Sequence, residues 1–270
     1  MSKDSQITAA LHAALLPGID YSLADTGRVR SVRSAADSVV VDIELGFPCA
    51  GLEQQLADFL AAIVRKVAGV ADVTVTLSSK ITAHGVQRTL KPLPNVSNII
   101  AIASGKGGVG KSTTAVNLAL ALSADGARVG ILDADIYGPS QPLMLGLSGQ
   151  RPLSEDGQTM QPLEAHGLQV MSIGFLIDPD QPMVWRGPMV TQALNQLLTQ
   201  TRWSELDYLV VDMPPGTGDI QLTLTQRVPV SGAVIVTTPQ DIALLDARRG
   251  LKMFENVEVP VLGIVENMST

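Results

Sequence analysis

Eight consecutive residues, Gly105-Lys106-Gly107-Gly108-Val109-Gly110-Lys111-Ser112, fit the spacing G-x-x-x-x-G-K-[ST]. At ordinary residue frequencies, a chance match in a chain of this size is on the order of one in a hundred. The flanks narrow it further. The apolar run Ile99-Ile100-Ala101-Ile102-Ala103 precedes the loop, and Thr113 to Ala124 has helical character behind it. In such a loop the glycines let successive backbone N–H groups turn inward around phosphate oxygens. The following helix points its positive end at them. Lys111 supplies a point charge on the β- and γ-phosphates. Ser112, with Thr113 beside it, opens the helix and offers a hydroxyl to Mg²⁺. The competing reading is a Gly-rich turn that binds nothing.

Carboxylates stand where such chemistry needs them. Asp133-Ala134-Asp135 ends the buried run Val129-Gly130-Ile131-Leu132. Ligands of open α/β sheets bind at the carboxyl ends of the strands, so both side chains belong at the phosphate site. Ala134 stands between them, and the two are expected to do different work. Asp212 ends a second apolar run, Tyr208-Leu209-Val210-Val211, which is the pattern of a carboxylate that holds Mg²⁺ through water. It leads into Met213-Pro214-Pro215-Gly216-Thr217-Gly218-Asp219. A rigid Pro-Pro followed by Gly-x-Gly suits a loop that senses the γ-phosphate through backbone N–H groups, with Gly216 as the donor. Each Asp also reads, more plainly, as a helix cap or turn former.

These residues need a sheet to hold them, and the chain has the composition for one. It has 270 residues, 46% hydrophobic and 17% charged, which excludes a disordered or low-complexity protein and favours two domains. Aromatics are only 3%, so the core is built from Val, Ile, Leu and Ala, a diet suited to buried parallel strands. Residues 1–79 read as a small α+β unit. Its helices are Ile7 to Leu16, stopped by Pro17-Gly18, and Leu52 to Val67; its strands are Val39 to Leu45 and Val73 to Leu77. Residues 80–97, with Lys91-Pro92-Leu93-Pro94-Asn95, read as a solvated linker. Residues 98–270 alternate strands with helices and predict an α/β fold with a mostly parallel, doubly wound sheet. Within them, 136–188 resists assignment apart from a strand at 168–173.

Net charge is −7, from 19 basic and 26 acidic residues, which argues against nucleic acid and anionic membranes as partners. No apolar run approaches the roughly 20 residues that span a bilayer, and Met1-Ser2-Lys3-Asp4-Ser5 lacks a signal segment. A cytoplasmic protein is expected. Cys49 is the single cysteine, so an internal disulfide and a multi-cysteine metal site within the chain are excluded.

Lys106, directly after the first glycine, makes the loop the G-K-G-G-x-G-K-[ST] variant known as the deviant Walker A motif. It resembles that of MinD, ParA, the nitrogenase iron protein and the Mrp-type ATPases. The resemblance implies that Lys106 reaches across a nucleotide-sandwich homodimer to the partner's phosphates, rather than standing as a solvated surface lysine. It implies that Asp135 positions the attacking water and Asp133 sits near the metal shell. Asn267, in Glu266-Asn267-Met268, would read the adenine edge, since an amide both donates and accepts. Four longer strings narrow the likeness: 132–140 (Leu-Asp-Ala-Asp-Ile-Tyr-Gly-Pro-Ser), 184–189 (Val-Trp-Arg-Gly-Pro-Met), 212–219 and 237–241 (Thr-Thr-Pro-Gln-Asp). Together they closely resemble the Mrp (ApbC-like) iron–sulfur cluster carriers over residues 98–270. The implied function is an ATP-hydrolysing carrier that passes clusters to apo iron–sulfur proteins. A MinD/ParA-like positioning ATPase, or a nucleotide-gated scaffold with negligible turnover, is the alternative. That family has a Cys-x-x-Cys pair shortly after Glu-Asn-Met, whereas this sequence ends at Ser269-Thr270. The expectation is therefore a shortened chain, with the cluster bound only in the full-length protein and one sheet face near 261–266 uncovered. Cys49 resembles a reactive cysteine of the small-domain family in place but not in flanking pattern, which favours a merely packed or surface thiol.

Overall fold

The computed structural model describes residues 2–19, 21–88, 90–176 and 187–269. The Val184-Trp185-Arg186 string lies outside them. The chain forms two compact units, Met1–Thr82 with Ala124–Gly126, and Ala83–Ser123 with Ala127–Thr270.

The first unit runs α1 (Lys3–His12), α2 (Leu23–Thr26), β1 (Gly27–Ser34), β2 (Ser38–Leu45), α3 (Glu53–Ala68) and β3 (Asp72–Ser79). β2 is central, antiparallel to β1 and parallel to β3. Its residues alternate between half-buried and buried, as a strand with one covered face must. Val39, Val41, Ile43 and Leu45 meet Ile7 and Leu11 of α1 and Leu56, Leu60 and Val64 of α3 in one core. α1 lies four residues earlier than its Ala/Leu content suggests. The Ser2 side chain accepts from the Ser5 backbone N–H and starts the helix there.

The second unit runs β4 (Val96–Ala103), α4 (Lys111–Ala124), β5 (Val129–Asp133), α5 (Gln141–Met144), β6 (Leu163–Ala165), β7 (Leu168–Ser172), α6 (Gly187–Thr199), β8 (Leu206–Asp212), α7 (Asp219–Arg227), β9 (Gly232–Thr237), α8 (Asp241–Asn256) and β10 (Val261–Glu266). The sheet order is β10-β9-β4-β8-β5-β7-β6. All pairings are parallel except β6 with β7. This is the α/β, doubly wound sheet that the alternating pattern predicts. β5 is buried throughout because it lies between β8 and β7 with both faces covered. β10 is an edge strand whose Leu262 and Ile264 stay exposed. Residues 83–95 pack with this unit; buried Gln87 donates from Nε2 to the Thr225 carbonyl at 2.9 Å. No helix among the described residues is long and apolar enough to cross a membrane.

Register sets the site. Asp133 lies beside Asp212 on one side and Ser172 on the other, and Ile102 lies beside Asp212. The carboxyl ends of β4, β5, β7 and β8 therefore converge.

Candidate functional site

The Gly105–Ser112 loop joins β4 to α4, the strand–loop–helix context its spacing requires. Gly108 and Gly110 take φ of +80° and +90°, the left-handed region that glycine enters without penalty. Gly110 is constrained twice, because a Cβ there would collide with the Asn267 amide. Val109 is buried, and its carbonyl accepts from Asn267 Nδ2 at 3.0 Å. The residue after the last strand is thus tied to the loop. One of the Asn267 amide hydrogens is engaged in doing so.

Lys111 is only 6% exposed. Its ammonium donates to Asp212 Oδ1 and lies 3.5 Å from Asp135 Oδ2. The structure therefore brings together Lys111, Ser112, Asp135 and Asp212. Lys106 is exposed on the loop, as is Thr113, while Ser112 is half-buried.

The structure puts Asp133 to a use the resemblance did not imply. Its carboxylate is completely buried and accepts from the backbone N–H of Asp135 at 3.1 Å, that of Gln141 at 3.0 Å and the Ser172 hydroxyl at 3.1 Å. Three protein donors occupy it, so it anchors the 133–141 loop. Gly216 likewise has a partner, since its N–H donates to the Ser104 carbonyl at 2.9 Å. Phosphate sensing by that group requires this bond to break first.

Two carboxylates, Asp135 and Asp212, thus meet one ammonium, and Asp133 lies beside Asp212. Burial pushes the Asp133 carboxyl up to about 7, the charge of Asp212 adds to it, and the three donors oppose it. Burial also raises Asp135, opposed by Lys111 and reinforced by Asp212. Such a cluster lacks positive charge. It also holds unmet polar atoms: Ser104 Oγ, Asp135 Oδ1, Ser140 Oγ and Gln141 Oε1 are buried without a hydrogen-bond partner. Both features fit a cation with a hydrated shell next to phosphate. No group of three or more His, Cys, Asp or Glu among the described residues forms a metal cage.

Sequence reasoning missed Gln141, Ser172, Ser104 and Ser140. Gln141 follows the Gly138-Pro139-Ser140 turn, but nothing local marks a glutamine there as buried. The signal is tertiary, the meeting of three strand ends.

The model of the ParA-type NUBPL iron-transfer P-loop NTPases matches residues 95–270. The chain belongs to this family. An iron-sulfur cluster carrier protein of Pseudomonas fragi is 62% identical over 211 residues, which are 78% of this chain and 74% of that one. The iron-sulfur cluster carrier protein of Escherichia coli K12 is 53% identical over 253 residues, 94% of this chain and 69% of its own. Among solved structures, a nucleotide-binding protein in complex with ADP from Archaeoglobus fulgidus aligns with a TM-score of 0.57 and 41% identity. It covers 64% of this chain and 68% of that one. For a P-loop NTPase, the arrangement at 105–112 lies where phosphate binds, with the strand-end carboxylates beside it.

Proposed function

We propose that the protein binds and hydrolyses MgATP and couples that cycle to carrying iron–sulfur clusters to apo-proteins, as a nucleotide-sandwich homodimer in the cytoplasm. The observation that carries the reading is the buried Lys111–Asp135–Asp212 cluster beneath a two-lysine phosphate loop, in a chain 53% identical over 94% of its length to a cluster carrier.

In this reading the backbone of Gly105 to Thr113 cradles the phosphates, and Lys111 transfers its charge from Asp212 and Asp135 to the β- and γ-phosphates. Asp135, released, orients the attacking water and accepts its proton. Ser112 and Asp212 hold Mg²⁺, which supplies charge neutralisation of the phosphoryl oxygens. Lys106 contacts the phosphates bound by the second copy. Asn267 keeps Val109 in place with one amide hydrogen and meets the adenine edge with its remaining amide atoms. Gly216 exchanges the Ser104 carbonyl for a phosphate oxygen, which moves the 213–218 loop. Catalysis is positioning plus electrostatics, as phosphoryl transfer generally requires. The negative net charge favours this reading over a DNA-engaging ATPase.

The test is phosphate release from ATP, with an apo-ferredoxin as client probe. Release that needs Mg²⁺, is lost in Asp135→Asn and changes rate when the apo-ferredoxin is present is the expected result. Release equal in wild type and Asp135→Asn overturns the hydrolytic assignment. Release indifferent to the apo-protein overturns the carrier assignment.

A further inference from the structure

Gln141 opens the four-residue helix α5 and is completely buried. An amide side chain has two N–H donors and one acceptor oxygen. Nε2 donates to the Ser112 backbone carbonyl at 3.0 Å and to Asp212 Oδ2 at 2.9 Å. Turned over, the amide would set its oxygen against a carbonyl and a carboxylate, both acceptors, so its orientation is fixed by chemistry. With that orientation, Oε1 is buried and has no partner in the protein. A buried acceptor left unmet is costly and rare in a folded protein.

The two groups that Gln141 grips are the backbone of the metal-side hydroxyl residue and the metal-side carboxylate. Its own backbone N–H donates to Asp133 Oδ2, which fixes where the side chain begins. The unmet atom is an acceptor, and this identifies what it awaits. Phosphate oxygens are acceptors too and cannot satisfy it. Mg²⁺ keeps several of its waters when bound, and each offers protons. Asp135 Oδ1, the buried unpartnered carboxylate oxygen of the cluster, points to the same need.

Resting on the MgATP reading of the site, we propose that Gln141 is a positioning residue for the metal–nucleotide complex. Its amide nitrogen holds Asp212 and the Ser112 backbone in register, and its amide oxygen accepts a hydrogen bond from water on Mg²⁺. Groups that support a metal in this way typically change its affinity by about 10–100-fold when removed.

The experiment measures binding of a non-hydrolysable ATP analogue by calorimetry, with Mg²⁺ and in EDTA, for wild type, Gln141→Met and Gln141→Glu. Thermal melting is recorded alongside. Wild type is expected to bind more tightly with Mg²⁺; the absence of any Mg²⁺ effect in wild type overturns the reading of the site itself. Given that effect, Gln141→Met is expected to lose about tenfold more affinity with Mg²⁺ than it loses in EDTA. An equal loss in both conditions shows a structural role only, and no loss in either shows none; both overturn the proposal. Gln141→Glu returns an acceptor oxygen without the donors and faces Asp212 with a like charge. It is expected to melt lower than wild type in EDTA and to gain more from Mg²⁺ alone. If Gln141→Met does not fold, this variant decides: a melting temperature indifferent to Mg²⁺ overturns the proposal.

Discussion

Phosphate reaching Lys111 meets an ammonium already held by Asp212 and Asp135. Those two carboxylates hold the Lys111 ammonium in place within the buried cluster. Removing the ammonium leaves buried carboxylates unpaired, a loss of about 3–5 kcal/mol for a buried pair. Lys111→Ala is expected to lower the urea midpoint of the free protein and to abolish analogue binding in calorimetry. Binding that survives the substitution would remove the loop from the nucleotide site. Lys106 gives the opposite expectation because it is exposed. Lys106→Ala should keep its melting temperature and its monomer affinity, and lose dimerisation with a non-hydrolysable analogue in analytical ultracentrifugation. Equal dimer fractions in mutant and wild type would place Lys106 outside the subunit contact. The loop and the strand-end carboxylates were legible in sequence because local spacing and an adjacent apolar run suffice to place them. The tasks of Asp133 and Gln141 were not. They depend on which side chains Ser172 and Asp212 present from strands far away in the chain.

The elements that carry the site were legible wherever burial gave them a continuous or alternating apolar run, as in β4, β5, β8 and β9. β1 escaped because it lies at the sheet edge and carries Arg28, Arg30 and Arg33 outward. These pair with Glu44 and Asp42 on β2 at 2.5–2.8 Å, so its pattern is charge pairing and not hydrophobicity. α5 and β6 escaped because elements of four and three residues carry too little periodicity to register. Alignment of β5 with β8 has its own device. Asp207 accepts from the Arg128 backbone N–H at 2.9 Å and from its guanidinium at 3.0 Å. Burial raises the Asp207 carboxyl, but the Arg128 side chain and backbone outweigh it, and the group ends below the ordinary value of 3.8. A carboxyl lowered on folding stabilises the protein above its unfolded value, and that stabilisation is lost as pH falls through the folded one. Asp207→Asn should therefore cost on the order of 1 kcal/mol near neutrality, since Arg128 is half exposed. The melting-temperature gap to wild type should close below about pH 4. A gap that is constant across pH would mean that the charge on Asp207 does not matter.

At the scale of the whole molecule, nucleotide machinery and cluster chemistry separate. The second unit brings the loop, the carboxylates and Gln141 together at the carboxyl end of its inner strands, while Cys49, the single cysteine, lies in the first unit. Its thiol is 4% exposed and sits 3.4 Å from the Ser79 hydroxyl, in the core with Leu45 and Leu56. Of the packed or surface thiol that the sequence left open, the structure shows the packed one, and a buried thiol in apolar surroundings is a poor metal ligand. Iron–sulfur clusters are held as a rule by four thiolates. A homodimer of these 270 residues offers one buried thiol per copy, two where a cluster takes four. Anaerobic reconstitution with iron and sulfide, followed by desalting, is expected to leave far less than one cluster per dimer and no stable visible absorbance. Cys49→Ala should give the same result. MgATP-analogue binding by the same preparation should be intact, which shows that the protein is folded. Stoichiometric iron and sulfide retained by the wild-type chain and lost in Cys49→Ala would instead make Cys49 a cluster ligand, and would require the first unit to open its core to deliver it.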